Sequence, residues 1–238
     1  MAMLKIAIDA GHYLGTPGKR ILKSLDPSET REWVLNDRIA DKVELILEGY
    51  TGHALLRVDD PTGKKEISTK NRAKVANDFE ADIYISLHHN AGIKGGKGGG
   101  IVAYGAKIAS KESVAWQKEL YEELIAATGL AGNRSNPLPK TNYKVLTKTN
   151  MPAVLLELGF MDSKTDVPVI LSEEFADQCA AAIVKVLVRR SGLVKKETPT
   201  TALYRVQVGA FSTRTKAEAQ VAALKKAGFD AIIKEETT

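Results

Sequence analysis

The run Ile85-Ser86-Leu87-His88-His89-Asn90-Ala91-Gly92 sets two of the chain's four histidines side by side where an apolar stretch gives way to glycine. A third, His12, closes the run "IDAGH" that follows the first apolar segment. Neutral imidazoles delivered from two strand ends suit zinc, which at catalytic sites takes three protein ligands and a water. The third ligand has to be another histidine or a carboxylate on the same rim, and Glu29 and Glu32 are the local choices. Asp26-Pro27-Ser28-Glu29 has the form of a helix start, with an N-cap, a proline in the first turn and an acid three residues past the cap. Glu29 thus has a structural task; Glu32, one turn further in, has none and is the favoured ligand. Glu157 interrupts the apolar run "PAVLLELGF". Ionised carboxylates are rarely placed in such surroundings without a metal or a partner. Beside an activated water it can take a proton and return it to a leaving amine, its pKa raised by apolar walls. The bland alternative is a strand-end glutamate hydrogen-bonded to a loop.

The elements that position these residues are short β-branched runs alternating with amphipathic segments. Leu4–Ile8, His53–Val58, Asp82–Leu87, Gly100–Tyr104 and Ala153–Leu156 read as strands. Glu32–Glu48 sets Leu35, Ile39, Val43, Ile46 and Leu47 on one helical face, and residues 67–78, 112–127 and 172–188 are the other predicted helices. This alternation predicts an α/β fold: a mostly parallel twisted sheet flanked by helices, with sites gathered beyond the carboxyl ends of the strands. The expected catalytic domain spans 1–190. A polar, basic, proline-containing linker at 191–202 leads to a small βαβ unit at 203–238, too short to bury a core alone.

A net charge of +5 attracts nucleic acid, membrane surface and anionic wall polymer alike. The basic residues are scattered, with no aromatic ladder or basic helix, so nucleic acid is not an expected partner. No apolar segment approaches the roughly 18 residues a bilayer span needs, so stable membrane insertion is not expected either. The first apolar run is broken at once by Asp9, which reads as a strand and not as a secretory leader. Synthesis in the cytoplasm, with action on a cell wall after release, is the expectation. The single cysteine excludes an internal disulfide, and the helical spacing of Cys179 with Phe175, Ala182 and Ile183 makes it core and not nucleophile.

"GIKGGKGGGI" invites a phosphate-loop reading, but Lys97 is followed by glycine and a strand follows where a helix should start. The glycines instead let a loop pass close to the site, leaving room for a bulky substrate. The polar, proline-broken stretch 133–150 is a candidate for the other wall of a groove.

Taken together, "IDAGH" at 8–12, "EWVLN" at 32–36, "RAKVAN" at 72–77, "ADIYISLHHNA" at 81–91 and "NMPAVLLELGF" at 150–160 resemble the zinc-dependent N-acetylmuramoyl-L-alanine amidases of the family-3 type. The resemblance covers nearly all of residues 1–190 in order. It implies that His12, Glu32 (with Asn36 four residues on) and His88 hold Zn2+, and that Glu157 is the catalytic acid/base. His89 departs from the family, which usually has a small residue there. Strand alternation sends its side chain away from His88, leaving supporting, substrate-contacting and solvent-facing roles open; Asn90 joins it as a candidate substrate-binding residue. The tail from Tyr204 resembles the first half of a SPOR repeat, a peptidoglycan-binding module, and two tails pairing into a homodimer is the expectation drawn from it. The implied function is hydrolysis of the bond between N-acetylmuramic acid and L-alanine in peptidoglycan, in the setting of a phage endolysin. The alternatives are a sporulation mother-cell lytic amidase, a zinc peptidase or deacetylase on the same scaffold, and a non-catalytic wall-binding protein.

Overall fold

The computed structural model describes residues 3–196 and 206–235. The chain divides into two compact units, residues 1–196 and 197–238. Among the described residues the first holds eight strands: β1 (Leu4–Ala10), β2 (Tyr50–Thr51), β3 (His53–Arg57), β4 (Ile83–Asn90), β5 (Ile101–Ala106), β6 (Lys140–Thr141), β7 (Ala153–Phe160) and β8 (Val194–Lys195). Its helices are α1 (Glu32–Leu47), α2 (Thr69–Asp78), α3 (Lys111–Thr128), α4 (Lys144–Thr147), α5 (Val167–Ile170) and α6 (Glu173–Ser191). Six strands form one sheet in the order β3-β1-β4-β7-β5-β6, and only the β5–β7 pair is antiparallel. This is the mostly parallel α/β sheet that the alternation of elements predicts.

Alternation along the strands sorts the core into two faces. Ile6, Ile8, Ile83, Ile85, Leu87, Val154 and Leu156 pack with residues of α1, α3 and α6, such as Ile39, Leu120 and Ile183. Ala7, Tyr84, Ala153 and Leu155 pack on the other side with Ala76 of α2 and Val145 and Leu146 of α4. Covering both faces makes β1, β4 and β7 nearly continuous apolar runs. A buried acid in one of them therefore stands out.

Three boundaries differ from the sequence reading in ways that matter. β4 runs on to Asn90 and β7 to Phe160, so His88, His89 and Glu157 lie inside strands; the two strands pair in register until a bulge after His88. No helix starts at Pro27: α1 begins at Glu32, and Asp26 closes a turn by accepting the N–H groups of Ser28 and Thr30. Glu29 is not a capping acid. It sits at φ 50° and pairs with Arg20 at 3.1 Å. The expected linker also begins later, because β8 pairs antiparallel with β2 and the Lys196 N–H donates to the Gly49 carbonyl. Residues 191–196 are thus part of the first unit, and 197–202 lie outside the described residues.

In the second unit α7 (Arg214–Lys226) forms as the spacing predicts. The expected flanking strands do not: residues 206–211 and 231–235 have no strand assignment, and 203–205 lie outside the described residues. A strand exists only through a pairing partner, and here Val206, Phe229 and Ile232 stay exposed. Among the described residues no helix is long and apolar enough to cross a membrane. Cys179 is fully buried and burial pushes its thiol well up, which agrees with a core role.

Candidate active site

The carboxyl ends of β1 and β4, the first turn of α1 and the middle of β7 converge. Gly11 follows β1 with no side chain because the His88 ring fills the space: three ring atoms lie within 2.6 Å of where a Cβ would stand. The chain then turns through His12 at φ 69°, a left-handed conformation that histidine tolerates better than most residues. The two imidazoles meet edge to face with centroids 4.9 Å apart. Glu32, the first residue of α1, is wholly buried between them, with Oε1 3.2 Å from His12 Nε2 and 3.1 Å from His88 Nδ1. The backbone N–H of His89 also donates to this oxygen, at 3.2 Å.

One ligand atom from each of His12, Glu32 and His88 lies within 4.8 Å of the others, a spacing that can hold a metal ion. His12 Nε2 and Glu32 Oε2 are buried and form no well-aligned hydrogen bond, although Glu32 Oε1 and the Lys19 ammonium lie 3.2 and 3.4 Å from them. Buried polar atoms are normally satisfied, and two imidazoles with one carboxylate are a donor set that zinc takes. The residues present therefore fit a divalent ion. Glu29, the rejected alternative, is not among them.

Burial would raise the Glu32 carboxyl, but the imidazoles of His12 and His88 beside it outweigh that and hold the pKa well below the usual range. Burial would lower His88, and the contact with Glu32 outweighs it so that His88 is raised. His12 is lowered, chiefly by burial. Glu157 pairs in register with His88 across the β4–β7 ladder. Its Oε2 is buried without a hydrogen-bond partner, and burial pushes its pKa up to about 7. The structure thus brings together all four residues singled out by their place in the sequence.

His89 is 1% exposed, so the substrate-contacting and solvent-facing readings both fall. Its ring points to the α1 face, where Nδ1 meets Asn36 Oδ1 at 2.8 Å. Asn36 Nδ2 donates to the Gly11 carbonyl at 3.1 Å. Asn36 therefore accepts with Oδ1, and His89 must carry its proton on Nδ1. Burial holds His89 neutral, with a pKa of about 3. It is a strut between α1 and β4. Asn90 is half-buried, its side chain accepting the Ala91 N–H and its carbonyl the Met161 N–H.

Sequence reasoning missed two groups. Lys19 brings its ammonium to 3.4 Å from Glu32 Oε2, from a loop without any pattern to flag it. Asp9, a second acid in an apolar strand, had the same signal as Glu157; it accepts hydrogen bonds from Tyr84, Ser86 and Arg72. The glycine loop is built against anions. Asp162 Oδ2 already accepts the successive N–H groups of Gly92, Ile93 and Lys94 at 2.7–2.8 Å, the cradle a phosphate would need.

The family described as N-acetylmuramoyl-L-alanine amidase matches residues 6–189, and the SPOR domain matches 175–235. Their overlap falls in α6, whose Cys179, Ile183 and Val186 are core residues of the first unit. The chain is 29% identical to the sporulation-specific N-acetylmuramoyl-L-alanine amidase of Bacillus subtilis, over 97% of this chain and 84% of that protein. It is 29% identical to the endolysin of Bacillus phage SPP1, over 79% of this chain and 66% of that one. The crystal structure of an N-acetylmuramoyl-L-alanine amidase from Clostridium difficile 630 superposes with TM-score 0.70 at 26% identity, covering 79% of this chain and 97% of that one. By its matched residues and its fold, the chain belongs to the N-acetylmuramoyl-L-alanine amidase family of hydrolases.

Proposed function

We propose that the enzyme is a zinc amidase that cleaves the bond between the lactyl group of N-acetylmuramic acid and L-alanine in peptidoglycan. His12, Glu32 and His88 hold the ion and Glu157 works as its acid/base. The observation that carries this is the pairing of a three-donor cluster within 4.8 Å with a carboxylate on the next strand whose Oε2 is buried without a hydrogen-bond partner. What zinc supplies when bound is Lewis acidity toward the scissile carbonyl and toward water. Glu157 takes a proton from the attacking water at its carboxylate and gives that proton to the departing alanine nitrogen. Water and amide thus become acid and amine, and the carboxylate is regenerated.

Mass spectrometry of digested wall tests the bond specificity. New L-alanine amino termini are expected; released acetate or terminal D-alanine would point to a deacetylase or carboxypeptidase on the same ligands. A wall-binding protein without catalysis has no use for the Glu157 site, and full activity without a bound metal would overturn the ligand assignment.

Two settings for wall lysis have support. The sporulation-specific relative aligns over nearly the whole chain, including the C-terminal unit, and favours a mother-cell lytic role. The phage endolysin relative favours release of phage progeny and aligns over a smaller share. Expression late in sporulation, against expression beside a phage lysis gene, separates them. In either case the enzyme meets the wall after leaving the cytoplasm.

The C-terminal unit, with its SPOR match, serves to hold the enzyme on peptidoglycan. Its exposed Val206, Phe211, Phe229 and Ile232 suit pairing with the same segment of a second copy. Light scattering of the full chain is expected to show a dimer; a monomer with an ordered tail would refute the pairing.

A further inference from the structure

We propose that Arg72 is a positioning residue that fixes the first metal ligand by clamping the backbone on which His12 turns. This rests on the reading of His12, Glu32 and His88 as the metal ligands.

Arg72 comes from α2, on the opposite face of the sheet from α1, and is 3% exposed. One nitrogen of its fork donates to the Asp9 carboxylate and, at 2.7 Å, to the Ala10 carbonyl. The other donates to the His12 carbonyl at 2.6 Å, and Nε donates to the Ile67 carbonyl of its own loop at 2.8 Å. A lysine could neutralise Asp9, but a single ammonium has no planar fork to reach two carbonyls two residues apart.

The neighbouring contacts show what is held. The Ala10 N–H donates to Asp59, the Gly11 N–H to the Leu87 carbonyl, and the Gly11 carbonyl accepts from Asn36. Within this frame His12 adopts φ 69°, a left-handed conformation disfavoured for a residue with a Cβ. Such a turn persists only where its surroundings over-determine it, and the carbonyl that closes it is the one Arg72 holds. A buried ion pair is weak evidence of a gain in stability, since apolar replacements often do as well. A guanidinium aimed at the backbone of a ligand has a reason that stability alone does not supply. Groups that orient metal ligands typically contribute about 10- to 100-fold in metal affinity.

The test measures Zn2+ affinity of the full chain by competition with a chromophoric chelator, alongside the melting temperature of the metal-free protein. Arg72→Lys keeps the charge and loses the fork; Arg72→Gln loses both. Both are expected to weaken binding roughly 10- to 100-fold. Leu187→Ala, a core change near the end of α6, is expected to lower the melting temperature and leave the affinity unchanged. If the arginine variants do not fold, Tyr84→Phe removes one donor from Asp9 while keeping the guanidinium, and is expected to weaken binding in the same direction by less. Affinities equal to wild type in the folded variants, with only the melting temperature reduced, would overturn the inference. A wild-type chain that binds no Zn2+, or binds it equally well as His88→Ala, would instead overturn the ligand assignment, and the inference with it.

Discussion

The imidazole of His88 occupies the space that a side chain on residue 11 would need, so Gly11 and His88 are a single steric unit. The strand end stays slim so that the His88 ring from the next strand can lie across it. Gly11→Ala is therefore expected to push the His88 ring out of the cluster. Zinc content after dialysis and amidase rate should both fall, by roughly 10- to 100-fold, with the sheet itself intact by circular dichroism.

Glu157→Gln keeps the shape of the side chain and removes its proton affinity. It should retain stoichiometric metal and lose about 10²- to 10⁴-fold in the rate of wall hydrolysis, followed by release of L-alanine amino termini. Activity close to wild type would remove Glu157 from the proton path.

The same carboxyl predicts a pH dependence in the metal-free protein. Burial holds its folded pKa at about 7 against an ordinary 4.5. Between these values the folded chain keeps a proton that the unfolded chain releases. The contribution is thus fully present below 4.5 and is lost as pH rises through 7. Chelated wild type should lose denaturant resistance over this interval relative to chelated Glu157→Gln, which lacks the group. Zinc should abolish the difference, because a nearby cation lowers the carboxyl's pKa.

Asn36 joins the Gly11 carbonyl to the His89 ring, and both partners are buried. Asn36→Leu strands two polar groups and is expected to cost about 1–3 kcal/mol for each of them. Chemical denaturation of the metal-free chain reads this directly. A loss near zero would mean that water reaches the strut.

A chain ending at Lys196 should keep its amidase activity on soluble muropeptides. The first unit forms its own core, and the solved Clostridium difficile amidase is matched over 97% of its length by 79% of this chain. Pelleting with insoluble wall should weaken, since the SPOR match runs to residue 235. Undiminished pelleting would place wall affinity in the catalytic unit.

Much of the site is legible from residue order because its chemistry interrupts local patterns. Histidines at the ends of apolar runs and Glu157 inside one break a period that burial would otherwise keep apolar, and the α/β alternation says at which end of a sheet they gather. Helix spacing likewise marks α1, α3 and α6 to within a few residues. Tertiary pairing decided the remainder. The β4–β7 ladder carried His88 and Glu157 inside strands, and α1 against β4 turned His89 from a candidate substrate contact into a buried strut. Arg72 reached His12 across 60 residues of chain, and among the described residues of the tail the expected strands did not form. Periodicity and capping are read from neighbours a few bonds away. Ladders, guanidinium clamps and strand partners depend on groups brought together only when the chain closes on itself, and no local pattern encodes them.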